Sequence, residues 1–169
     1  MDDCDLDWTV ALHEAGHAVM KWLRCIPPGA IHVGDDGNGL CEGSGMAFRP
    51  EDVLLVKLAG IVVESDYGLS PVDLGQSFTA DLTEARLMLG LHQELRLRLP
   101  DDLVSEPLKV GFYSVEEALQ KWFDRTCSEL LPYCDVVEHV AQEAVSGYLS
   151  AAELHAILEK YELENENNG

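Results

Sequence analysis

The sequence has few basic residues, and this shortage limits what the protein is expected to bind. Only 11 Lys and Arg stand against 31 Asp and Glu, which gives a formal net charge of −20. A surface of this charge repels phosphate groups, so neither nucleic acids nor anionic membranes are expected partners. The charge alone carries no information about the fold.

Long apolar runs and paired cysteines are missing as well. No run of about 18 consecutive apolar residues occurs, so we expect no membrane span. The first residues, 1–5, are acidic where a secretion signal would be basic, and we therefore expect a cytoplasmic protein. The 5 cysteines form no Cys-x-x-Cys pair, which favours free thiols over a disulfide framework.

What is present is enough for one domain with a core, since 47% of the 169 residues are apolar. Apolar spacing and capping signals predict a mainly α-helical domain over residues 1–161, with about six helices and a flexible acidic tail at 162–169. The predicted helices cover residues 8–24, 50–68, 79–99, 114–131, 133–148 and 150–161.

A small β-hairpin is predicted after the first helix. Residues 30–33 and 45–48 are short apolar segments on either side of Gly-rich turn sequence at 35–39. The edge at 43–48 is a candidate site where an extended substrate adds a strand.

The informative motif is His13-Glu14-Ala15-Gly16-His17, an HExxH on the first helix. Residues four apart lie on one helix face, so the two imidazoles can share one zinc ion. Glu14 lies beside that face and can take a proton from a zinc-bound water, whose pKa zinc lowers to about 7. The pattern is typical of peptide hydrolysis, whereas the plainer interpretation is a surface helix with two solvated histidines. Gly16, unfavourable within a helix, suggests close approach of another element.

Two histidines do not complete a catalytic zinc site, which needs a third protein ligand. The downstream candidates are acidic or imidazole side chains, and spacing alone does not choose among them: Glu64, Asp66, Asp73, Asp81 and His92.

Four segments together resemble the peptidase domain of the FtsH family of zinc proteases. They are HEAGHAV at 13–19, LAGIVVESDYG at 58–68, SFTADLTEA at 77–85 and LSAAEL at 149–154. They are similar, in order, to that family's metal helix, its Gly-x-x-Ala-Glu-Glu helix, its metal-binding Asp segment and its closing short helix. The resemblance spans nearly the whole chain and is strongest at the first motif.

The resemblance implies that Asp81 is the third zinc ligand and that Glu14 is the general base. It also places Glu64 in the Ala-Glu-Glu segment, as a residue that would support a ligand without binding zinc; Ser65 replaces the second Glu. The other interpretation of Asp81 is a helix cap, because Asp81-Leu82-Thr83-Glu84 is itself a capping box.

The function expected from the motif and the resemblance is that of a zinc metalloendopeptidase acting on protein or peptide substrates. The family couples this domain to an ATPase, but the sequence contains no GxxxxGK[ST] motif, so hydrolysis by this chain is expected to be independent of ATP, and a separate partner ATPase is possible. The family's hexameric ring is therefore in doubt, and the oligomeric state stays open. The alternative is a non-catalytic zinc-binding module that acts as an acidic interaction or regulatory protein.

Overall fold

Helices dominate the architecture, as the sequence predicts. The computed structural model describes residues 3–34, 37–43, 49–66, 76–96 and 115–168. The helices in these ranges are α1 (Asp3–Leu23), α2 (Pro50–Asp66), α3 (Gln76–Arg96), α4 (Val115–Leu130), α5 (Cys134–Ala144) and α6 (Ala151–Asn168), with a 3₁₀ turn at Leu131–Tyr133. The strands are β1 (Ile31–Val33), β2 (Gly39–Cys41) and β3 (Tyr148–Leu149).

Helix α1 lies at the centre of the fold. Every residue from 9 to 20 is buried, and the helix packs against α2 and α5. A helix that is covered on all sides needs apolar or small residues around its whole circumference. Residues such as Leu12, Ala15, Ala18 and Val19 meet that need, and none of these four is exposed. The interpretation as a surface helix with solvated histidines is therefore wrong.

The end of α1 is set by backbone hydrogen bonds rather than by the prolines that follow. The N–H of Ile26 donates to the carbonyl of Lys21, and the N–H of Cys25 donates to that of Trp22, at 2.8 and 2.9 Å. Cys25 has a φ of 57°, the left-handed conformation of a Schellman cap. The chain then turns towards the sheet.

The strands form one antiparallel sheet in the order β2-β1-β3. Ile31 lies opposite Cys41 on one side and opposite Leu149 on the other. The predicted pairing of residues 30–33 with 45–48 is therefore wrong, because β1 pairs with β2 on one side and with β3 on the other. The N–H of Gly34 donates to the carbonyl of Asn38 just before β2 begins at Gly39. The predicted strand at 45–48 and most of the proposed edge at 43–48 lie outside the described residues, as do Asp73 and residues 100–113.

Several helix boundaries also differ from prediction. Helix α3 begins at Gln76, and α5 ends at Ala144, which leaves room for β3. Helix α6 opens at the predicted capping box, where the N–H of Ser150 donates to Glu153 Oε2 at 3.0 Å. It continues to Asn168 instead of ending near Tyr161, because no Pro or Gly interrupts residues 162–168.

Candidate metal centre

Two buried histidines on α1 point their Nε2 atoms at one another. His13 is 2% exposed and His17 is 8% exposed. Their Nε2 atoms lie 2.9 Å apart, and the two rings meet edge to face. The i, i+4 spacing of the motif therefore brings two metal-binding nitrogens to one point, as predicted.

Helix α2 fixes the orientation of both imidazole rings by accepting hydrogen bonds from their Nδ1 atoms. His13 Nδ1 donates a hydrogen bond to Glu64 Oε1 at 3.0 Å, and His17 Nδ1 donates one to the carbonyl of Val56 at 2.7 Å. Histidines that bind metals characteristically donate their second nitrogen to a carboxylate or a carbonyl in this way. Glu64 therefore supports His13 and does not reach the point where the Nε2 atoms meet.

Glycines at the contact between α1 and α2 allow this close packing. A methyl group built on Gly16 would lie 2.8 Å from the carbonyl oxygen of Ala59. One built on Gly60 would lie 2.6 to 2.7 Å from atoms of the His13 ring. The close approach expected at Gly16 is thus present, and Gly60 provides the matching space on α2.

Asp81 on α3 brings a carboxylate to the two histidines. Its Oδ2 lies 3.1 Å from His13 Nε2 and 2.9 Å from His17 Nε2. Its Oδ1 accepts a hydrogen bond from Lys57 Nζ at 3.0 Å. Because α3 begins at Gln76, Asp81 lies in the second turn of the helix, and the interpretation as a helix cap is wrong.

The contacts in this cluster shift the pKa values of its members. Burial lowers the pKa of His13, but hydrogen bonds to Asp81 and Glu64 outweigh it and raise the pKa to about 10. Burial raises the pKa of Asp81, whereas hydrogen bonds from His13, His17 and Lys57 hold it well below its usual range. A metal ion bound by these atoms must displace a proton, as is usual for imidazole ligands.

Glu14 lies beside the two histidines and completes a cluster that could hold a metal ion. Ligand atoms of His13, Glu14 and His17 all lie within 4.8 Å of one another. Glu14 is 3% exposed and packs against β2, where a methyl group on Gly39 would lie 2.5 Å from Glu14 Oε1. Two sets of three ligands are therefore conceivable, one with Asp81 and one with Glu14. The donor atoms of His13, His17 and Asp81 lie 2.9 to 3.1 Å apart, whereas those of His13, Glu14 and His17 lie within 4.8 Å of one another.

The cluster forms one wall of a cleft of about 530 Å³. Gly39, Leu40 and Cys41 of β2 also line the cleft, and Lys21 and Lys57 contribute positive charge. Burial raises the pKa of the Cys41 thiol to about 11, so without a metal this thiol stays protonated near neutral pH and is a poor nucleophile. The chemistry available in the cleft is that of imidazoles and carboxylates.

Sequence reasoning found part of this site and missed the rest. Of the described candidates for the third ligand, Asp81 reaches the Nε2 atoms of both histidines, whereas Glu64 contacts Nδ1 of His13 instead. The side chains of Asp66 and His92 lie outside the described residues. The carbonyl of Val56 and the ammonium of Lys57 were missed. A hydrogen bond to a backbone carbonyl has no signature in the sequence. Gly60, a poor helix former within α2, was a usable signal of close packing at this position.

Comparisons with known proteins add no family assignment. No protein-family model matches the chain, and no curated protein matches it. Among the described helices, none is long and apolar enough to cross a membrane. What the site does must therefore be argued from its own residues.

The role of Gly60 gives a direct test of the packing around His13. We expect Gly60→Ala to destabilise the protein by about 1–3 kcal/mol, because the added methyl group overlaps a buried ring that cannot move away. Metal affinity should fall as well. The matched control is Gly90→Ala on α3, where nothing lies within 4 Å of the new methyl group. That variant should gain about 0.5–1 kcal/mol from helix propensity. Urea denaturation measures the stability of both variants, and equal changes in the free energy of unfolding would refute the packing argument.

Proposed function

We propose that the protein is a zinc metallopeptidase of the HExxH type, with His13, His17 and Asp81 as zinc ligands and Glu14 as the general base. The observation that carries the proposal is the convergence of three donor atoms from α1 and α3 within 3.1 Å, next to a buried glutamate. The resemblance to FtsH peptidase domains supports the same ligand set and remains part of the proposal.

The donor set suits zinc. Catalytic zinc sites combine three protein ligands, often two His and one carboxylate, with an open fourth position. Ligand atoms at about 2.05 Å from a tetrahedral zinc ion lie about 3.3 Å apart. The observed separations of 2.9 to 3.1 Å need to widen by only a few tenths of an ångström. The same donors also serve iron(II) in oxygenases, and the adjacent Glu14 favours hydrolysis over that chemistry.

In the proposed reaction, zinc and the side chains of the protein have separate roles. Bound zinc acts as a Lewis acid that polarises the scissile carbonyl and makes water more acidic. Glu14 takes a proton from the attacking water as the water oxygen bonds to the carbonyl carbon. Glu14 then passes that proton to the amine nitrogen as the carbon–nitrogen bond breaks. Glu64 and the Val56 carbonyl keep the imidazoles oriented throughout.

The cleft suggests a substrate with an extended backbone. Among the strands that the structure describes, β2 lies at an edge of the sheet, and it lines the cleft beside Glu14. An exposed strand edge can pair with a polypeptide through backbone hydrogen bonds, which selects unfolded segments rather than folded proteins. The half-exposed side chain of Leu40 offers such a segment an apolar contact. The edge expected at 43–48 lies mostly outside the described residues and stays a separate prediction.

The experiment that tests the proposed function is cleavage of an unfolded protein such as casein. Zinc-loaded protein is expected to cleave it, chelation is expected to stop cleavage, and readdition of zinc is expected to restore it. Zinc binding without any cleavage would instead support the alternative, a non-catalytic zinc-binding module. Cleavage that survives complete removal of metal would contradict the proposal.

A further inference from the structure

Helix α2 contacts each of the three side chains that converge at the candidate metal centre. Glu64 accepts a hydrogen bond from His13, and the Val56 carbonyl accepts one from His17. The third contact comes from Lys57, whose Nζ lies 3.0 Å from Asp81 Oδ1. The first two contacts are of the kind expected behind metal-binding histidines. The third is not implied by the HExxH motif.

The contact between Lys57 and Asp81 gives the two carboxylate oxygens of Asp81 different surroundings. Oδ2 faces both histidines at 2.9 and 3.1 Å, whereas Oδ1 faces the ammonium group. The side chain of Asp81 is 11% exposed and that of Lys57 is 30% exposed. A charge-assisted hydrogen bond in such a setting is stronger than one between neutral groups. A metal ion that bound Oδ1 as well as Oδ2 would therefore have to displace this hydrogen bond.

Lys57 is itself held in place from the other side. Its Nζ lies 2.7 Å from Glu84 Oε2, and Glu84 follows Asp81 by one turn on α3. The ammonium thus bridges two carboxylates of the same helix face. Lysine is a flexible side chain, and two anionic partners restrict the positions that it can occupy.

We propose that Lys57 is a positioning residue that keeps Asp81 Oδ1 engaged, so that Asp81 offers a single oxygen to the metal. A carboxylate that used both oxygens would occupy two coordination positions and crowd the one that a catalytic site leaves open. This inference rests on the proposed metal site. It adds a prediction about coordination number that the HExxH motif does not make.

The test uses the cobalt(II)-loaded full chain, because cobalt(II) reports coordination number through its visible absorption. Wild-type protein is expected to show the intense bands of a four-coordinate ion. Lys57→Met should weaken these bands as Oδ1 becomes free to bind, and should lower zinc affinity about 10- to 100-fold, the usual effect of removing a group that supports a ligand. Lys57→Arg, which keeps a cation, should restore much of the wild-type spectrum.

Lys121→Met is the matched control, since it removes one positive charge from an exposed position on α4. It should leave both readouts unchanged. Lys57→Gln gives the same readouts if Lys57→Met does not fold. A wild-type cobalt spectrum and wild-type zinc affinity in the Lys57 variants would overturn this inference while the metal site stands. Failure of the wild-type chain to bind cobalt or zinc would overturn both.

Discussion

Replacing Glu14 with glutamine is expected to lower kcat/KM for peptide hydrolysis about 100- to 10,000-fold, the range of a lost general base. Glutamine has nearly the same shape, so the packing against Gly39 is preserved, but its amide cannot accept the proton of the attacking water. Zinc affinity is expected to change little, because in the proposed site Glu14 is not a ligand. Steady-state kinetics on a quenched fluorescent peptide, combined with a zinc titration, measure both quantities.

Glu42→Gln is the matched control for this variant. Glu42 follows β2 directly, and its side chain is 53% exposed and contacts only His32 among the ion pairs described. The same chemical change at that position should leave kcat unchanged. If Glu14→Gln kept full activity, the assignment of Glu14 as the base would be wrong. If it lost zinc, Glu14 would belong to the ligand set.

The second large effect is expected at Asp81. Asp81→Ala should weaken zinc binding by more than about 100-fold, which exceeds the usual effect of removing a supporting group. The carboxylate is the only negatively charged member of the proposed ligand set, and its loss also removes one of the two anionic partners of Lys57. Asp81→Asn preserves the size of the side chain and separates loss of the ligand from loss of packing.

The comparison of Asp81 with Glu14 distinguishes the two conceivable ligand sets. Loss of zinc in Asp81→Ala with retention in Glu14→Gln supports the set of His13, His17 and Asp81. The reverse result would support the set of His13, Glu14 and His17. Asp124→Ala, at an exposed position on α4, is the control for removal of an acidic side chain and should bind zinc like the wild type.

The histidine pair was predictable because its geometry is local. Any helix places residues four apart on one face, so the sequence alone indicates that His13 and His17 converge. Asp81 is 68 residues from His13, and the packing of α3 on α2 decides whether the two meet. No rule of spacing reports such a contact, which is why only the resemblance selected Asp81 from the five candidates.

The errors in the fold have equally physical causes. The sheet was misassigned because β2 begins with a glycine, which is unfavourable in strands, and runs for only three residues. The end of α6 was misassigned because acidic and Asn-rich composition is typical of tails, although nothing in residues 162–168 stops a helix. The support given by Val56 and Lys57 depends on tertiary contacts and has no sequence signature.

In the proposed site, α1 and α3 together bind one zinc ion through His13, His17 and Asp81. X-ray absorption at the zinc K edge of the zinc-loaded protein examines this coordination shell itself. We expect two imidazole nitrogens at about 2.0–2.1 Å and the remaining ligands as oxygen at about 2.0–2.2 Å. A sulfur ligand at about 2.3 Å, or a shell with fewer than two imidazoles, would contradict this ligand set.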